Sequence, residues 1–288
     1  MAAFSERRWG APDGLTLFAR DYAADGAAVR LPVVCLHGLT RNSKDFEDIA
    51  PRIAGWGRRV IVPDVRGRGQ SGRDPNPANY NPKVYARDVA GLLDSLDIPR
   101  AIFLGTSMGG IITMTLAAIR PKLVAASILN DVGPEIAPEG VTRILSYAGK
   151  GASIQSWGDA ADYLRRTNGP ALPAFKDADW DRLARRTFGE GPDGPELDYD
   201  PAISGVLSMP GRLTKFIARL LFRRLARKRP TLLLRGELSD LITADIAARM
   251  VKAAPSMEVV VVPGVGHAPM LDEPVAVDAI ERFLRTLP

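Results

Sequence analysis

The chain has 288 residues, 46% hydrophobic and 25% charged, enough for one sizeable α/β domain carrying an insertion. No apolar run reaches the roughly 18 residues of a membrane span; the single cysteine, Cys35, excludes an internal disulfide, and two histidines, His37 and His267, are too few for a histidine-built metal site. The net charge of +5 is local: Pro201 to Arg229 holds eight basic residues and no acidic one, and outside it 30 basic residues face 33 acidic ones, so no general polyanion-binding surface is implied.

The opening MAAFSERRWGAPDG lacks the basic-then-apolar layout of a secretory leader, and a cytoplasmic location is expected. Cys35 reads as an inert core thiol. In chain order, strands are expected at Glu6–Trp9, Leu15–Tyr22, Val33–Leu36, Val60–Pro63, Ala101–Leu104, Ala125–Leu129, Thr231–Arg235 and Glu258–Val262. The later ones are continuous apolar runs, as strands buried on both faces of a parallel sheet require. Between them lie helical patterns at Lys44–Gly55, Lys83–Leu96, Met108–Ile119, Ala244–Ala254 and Val275–Leu287, with Asn81-Pro82 and Asp272-Glu273-Pro274 as plausible starts for two of them. The alternation predicts a doubly wound α/β sheet with right-handed crossovers.

About a hundred residues between Asn130 and TLLLR break that rhythm. They hold helical patterns at Val141–Ala148, Asp159–Thr167, Asp177–Thr187 and Leu213–Arg227, and GEGPDGPELDYDP reads as a loop. An insertion after a core strand, near the strand C-termini, is placed to lie over a site there. The expected division is a core of 1–133 and 229–288 with a helical cap at 134–228.

In GTSMGG, Gly105 to Gly109 satisfy G-x-S-x-G directly after a strand and before a helix. A serine at so sharp a turn adopts a strained backbone, and side chains two residues to either side would collide with it. Ser107 would then stand at a helix N-terminus, where backbone N–H groups favour a developing anion. A serine hydroxyl is a weak nucleophile and needs a base with a partner that orients it. His267, in a loop past the last strand, is the candidate base. Asp240, in RGELSD, is the preferred acid, and Asp131, in ILNDVG, is the alternative, placed also to brace the entry to the insertion.

Five motifs in order, HGL at 37–39, DVRGRGQS at 64–71, GTSMGG at 105–110, RGELSD at 235–240 and GVGHAP at 264–269, make the chain resemble the α/β-hydrolase superfamily over essentially its whole length. The resemblance implies a mostly parallel, eight-stranded doubly wound sheet with a helical cap inserted after strand 6. It implies a Ser107–His267–Asp240 triad, an oxyanion hole from the N–H groups of Leu39 and Met108, and no cofactor or metal. DVRGRGQS is a structural loop in such proteins, so no chemistry is assigned to Asp64 or Arg66.

Serine at position 107 departs from the epoxide hydrolases and haloalkane dehalogenases of this fold, which use aspartate. HGLTRN departs from the H-G-x-G-P-G stretch usual in meta-cleavage C–C hydrolases. The favoured reading is an esterase acting on small or medium acyl esters, or on lactones, through an acyl-enzyme on Ser107. The alternatives are a C–C hydrolase or enol-lactonase on the same triad, and a small-molecule receptor that retains it. His37, Arg41, Trp157 and Trp180 are the candidate pocket residues.

The expected partner is the small-molecule substrate, not nucleic acid, since no binding motif accompanies the charge. In RLTKFIARLLFRRLARKR, Phe216, Ile217, Leu220, Leu221 and Leu225 are expected to form an apolar helix face with arginines opposite. A solvated face on the last cap helix is the plain reading. Peripheral membrane contact through 212–229, without stable insertion, is left open, as is the oligomeric state.

Overall fold

Eight strands pair into one sheet: β1 (Ser5–Gly10), β2 (Thr16–Tyr22), β3 (Val33–Leu36), β4 (Val60–Asp64), β5 (Ala101–Thr106), β6 (Val124–Asn130), β9 (Thr231–Gly236) and β10 (Glu258–Val262). The structure is a computed structural model that describes residues 3–26, 30–150, 154–206 and 211–288. The strand order is β1-β2-β4-β3-β5-β6-β9-β10. β2 runs antiparallel to both β1 and β4, and the remaining neighbours are parallel.

The apolar runs explain why the sheet is covered on both sides. Along β5, Ile102 and Leu104 face a layer made by α1 (Ile49–Gly55) and α9 (Pro274–Arg285), through Ile53, Ile280 and Phe283. Phe103 faces the opposite layer, made by α2 (Pro82–Ser95), α3 (Met108–Ile119) and α8 (Ala244–Ala253), with α7 (Arg212–Ala226) beside them. The period-two alternation of a strand sends successive side chains to opposite faces, so both must be apolar. The Asn81 side chain caps α2 by accepting from the N–H groups of Lys83 and Val84, and Pro274 opens α9, as read from the sequence.

Two expectations change. The helix expected over Lys44–Gly55 is broken into a 3-10 turn, Ser43–Phe46, and α1, because the Asn42 side chain caps the short turn at Lys44 N–H. The insertion, expected to be strand-free, contains a hairpin of β7 (Phe188–Gly191) and β8 (Gly194–Leu197) after α4 (Pro138–Tyr147), α5 (Trp157–Asn168) and α6 (Asp177–Thr187). Pro192 and Asp193 form the two-residue connection, and Gly194, at φ +135°, opens β8 opposite Gly191.

The segment 134–228 also divides. α5 and α6 build a small core of their own around Leu164, Trp180, Leu183 and Phe188. α7 does not join it: Phe222, Leu225 and Ala226 are buried in the core on the α3 side of the sheet. The helix expected to be the last of the cap therefore packs on the sheet domain.

Candidate active site

Ser107 sits between β5 and α3 with φ 50° and ψ −113°, a backbone conformation rare for a residue with a side chain. Two glycines make the turn possible. A Cβ at Gly109 would lie 2.0 Å from the Leu36 carbonyl oxygen of β3, and one at Gly105 would lie 2.5 Å from the Gly110 nitrogen. The Ser107 N–H donates to the Asn130 carbonyl at 3.1 Å, tying the turn to the neighbouring β6.

His267 lies in the loop between β10 and α9. Its Nε2 is 3.0 Å from Ser107 Oγ and its Nδ1 is 2.8 Å from Asp131 Oδ2. Asp131 is fully buried, with φ 52°, just past β6. Gly236 N–H donates to its Oδ1 at 3.0 Å and Ser239 Oγ to its Oδ2 at 2.5 Å. A carboxylate on Nδ1 favours the tautomer protonated there, which leaves Nε2 free to accept the serine proton.

The preference for Asp240 as the partner of His267 is corrected by this geometry. Asp240 accepts from Arg143 of α4, at 2.6 Å from Nε and 2.9 Å from Nη2. Burial alone would raise its carboxyl, but the Arg143 hydrogen bonds and charge outweigh burial and hold it below the ordinary aspartate value. α4 comes this close because Gly140 has no side chain: a Cβ there would lie 2.7 Å from the Asp240 carbonyl oxygen.

The insertion roofs the serine. A cavity of about 130 Å³ is bordered below by Leu39, Ser107 and His267 and above by Ile144, Tyr147, Tyr163 and Tyr199. Burial raises the phenols of Tyr147, Tyr163 (to about 12) and Tyr199, so they face the cavity as neutral hydroxyls. The N–H groups of Leu39 and Met108 find no backbone or side-chain acceptor among the described residues.

Of the four candidate pocket residues only Arg41 lines the cavity, where it is held by Asp45 and Thr187. His37 is instead fully buried beneath the Leu39 loop, its Nδ1 2.7 Å from the Gly38 carbonyl and its Nε2 accepting from Val65 N–H at 3.0 Å. Burial pushes its pKa down to about 4, so the ring is a neutral brace. Trp180 is 3% exposed and packs edge-on to Phe175 inside the α5–α6 core. Trp157 stacks under the Arg185 guanidinium. Neither indole borders the cavity.

One residue of the site has no sequence signal beyond its motif. Arg68, in DVRGRGQS, is 1% exposed and donates to the Leu39 carbonyl at 2.9 Å, to the Arg66 carbonyl at 2.7 Å and to Tyr85 OH at 2.9 Å, with Met108 Sδ at 3.5 Å. It touches Leu39 and Met108, whose N–H groups have no acceptor among the described residues. Among the described residues, no group of three or more His, Cys, Asp or Glu is placed to hold a metal ion.

A doubly wound sheet with a strained serine at the end of its central strand, facing a histidine and a buried aspartate, defines a hydrolase of the α/β type. The family model for the alpha/beta hydrolase fold matches residues 32–274, and the chain belongs to that family. The chain is 34% identical over 278 residues, 94% of each chain, to the 3-hydroxybutyrate-oligomer hydrolase of Cupriavidus necator. It is 29% identical over 231 residues, covering 80% of this chain and 79% of the relative, to the 2-(acetamidomethylene)succinate hydrolase of Mesorhizobium japonicum. Among solved structures it is similar to an alpha/beta hydrolase from Novosphingobium aromaticivorans, with 43% identity, a TM-score of 0.91 and full coverage of both chains.

Proposed function

We propose that the protein hydrolyses carboxylic esters of small or medium acyl groups through an acyl-enzyme on Ser107, with His267 as base and Asp131 as the orienting acid. The observation that carries the reading is the unbroken chain from Ser107 Oγ to His267 Nε2 and from His267 Nδ1 to Asp131 Oδ2. Ser107 passes its proton to His267 as Oγ bonds to the ester carbonyl carbon. The N–H groups of Leu39 and Met108 hold the resulting oxyanion, while Asp131 stabilises the imidazolium. Collapse breaks the bond to the alkoxy oxygen, which takes the proton from His267 and leaves as alcohol. Water then gives a proton to His267, attacks the acyl carbon and releases the carboxylic acid, restoring Ser107.

The relative named for 3-hydroxybutyrate oligomers favours an ester over a C–C bond, since those oligomers are joined by ester linkages. The relative named for 2-(acetamidomethylene)succinate keeps other carbonyl substrates in the test. A panel of p-nitrophenyl esters, lactones and 3-hydroxybutyrate oligomers, with mass spectrometry of Ser107, decides it. Multiple turnover, an acyl adduct on Ser107 and loss of both in Ser107→Ala are expected. No adduct across the panel overturns the esterase reading, and single turnover with retained ligand points to a receptor.

A further inference from the structure

We propose that the N-terminal half of α7 docks on the surface of an anionic phospholipid bilayer. Leu213, Phe216, Ile217 and Leu220 are 71%, 65%, 45% and 58% exposed. Their spacing of three and four residues puts them on one stripe of the helix. At about 100° per residue, that stripe lies roughly opposite the face formed by Phe222, Leu225 and Ala226, which anchors α7 in the core. The fold therefore uses one side of the helix and leaves a second apolar side in water. Single exposed apolar residues are ordinary; a contiguous stripe of four large ones marks a contact surface.

The charge around the stripe selects the partner. α7 carries no acidic residue, and Arg212, Lys215, Arg219 and Arg223 line one flank of the stripe, all exposed. Arg224 and Arg227 fall in line with the stripe itself, toward its C-terminal end. Two copies of the chain joined through this face would set like charges against each other, and a nucleic acid would engage the arginines but leave the apolar stripe in water. A bilayer surface serves both: the Leu and Phe side chains enter the acyl boundary, and the guanidinium groups reach the headgroup phosphates along their alkyl stems. Arg219 also bonds Glu135 at 2.9 Å, four residues past Asp131, so the docked helix lies on the side of the molecule where the insertion begins. This assignment does not rest on the identity of the acyl substrate.

Co-sedimentation with phosphatidylcholine vesicles, with and without phosphatidylserine, at low and high salt, tests it on the full chain. Binding is expected to the phosphatidylserine vesicles at low salt and to fall at least about tenfold at high salt or without the anionic lipid. Phe216→Ser with Leu220→Ser, and separately Arg212→Glu with Lys215→Glu, are each expected to reduce binding about tenfold while leaving the thermal melt unchanged, since none of these side chains is buried. No binding at low salt overturns the proposal. So does binding that these variants leave intact, or a dimer in sedimentation equilibrium that Phe216→Ser disperses.

Discussion

Asp131 Oδ2 lies 2.8 Å from His267 Nδ1, across 136 positions of sequence. Asp240, only 27 residues before His267, ends the loop of the adjacent strand and is bound instead by Arg143. β6 and β9 are hydrogen-bonded neighbours, yet the carboxylates that follow them serve different partners.

Asp131→Asn is expected to lower kcat on an ester substrate by about ten-thousand-fold, because the amide favours the wrong imidazole tautomer. Asp240→Asn should change kcat by less than about tenfold. Steady-state kinetics on both variants check the assignment, and the reverse ranking would sink it.

Arg68→Lys keeps a cation but loses the planar fork that reaches three acceptors at once. If the Leu39 and Met108 N–H groups hold the oxyanion, their displacement is expected to lower kcat by about tenfold to a hundredfold with KM little changed. A change confined to KM would assign Arg68 to substrate binding instead.

Gly109→Ala sets a methyl group against the β3 carbonyl at 2.0 Å, so the turn and the sheet must part. A loss of about 1–3 kcal/mol in unfolding free energy, together with most of the activity, is expected from denaturant titration and kinetics. Wild-type stability in this variant would show that the turn is less tightly held than its geometry indicates.

His37 has its pKa lowered to about 4 by burial, whereas unfolded histidine titrates near 6.5. Between those values the unfolded chain binds the extra proton, so this group's contribution is fully present above about pH 6.5 and is lost as the pH falls toward 4. The full effect is about 3 kcal/mol. Asp64, raised to about 6 by burial, works in the opposite sense, its contribution falling as the pH rises from about 4 to 6. His37→Gln, which keeps an acceptor for Val65 N–H, isolates the histidine: the difference between the two stability curves should shrink as the pH falls from 6.5 to 4. A constant difference would mean that native His37 takes up its proton at the ordinary histidine pKa.

Much of this molecule was legible in short stretches. The expected spans met all eight strands of the main sheet, the later ones as continuous apolar runs, and GTSMGG identified the strained serine turn, because backbone sterics within five residues dictate glycine there. His267 followed from the scarcity of bases in the chain. What the tertiary structure alone decided was which side chains meet. The sequence favoured Asp240, yet Asp131 satisfies the same order: each follows a parallel strand, and each precedes His267. The close seat of α4 at Gly140 gave Asp240 to Arg143, and the turn at Gly236 and Ser239 turned Asp131 toward the imidazole. His37, Trp157 and Trp180 were misplaced for the same reason, since burial and contact depend on elements far apart in the chain. Periodicity and local strain are properties of neighbours in sequence; hydrogen-bond partners are chosen by packing.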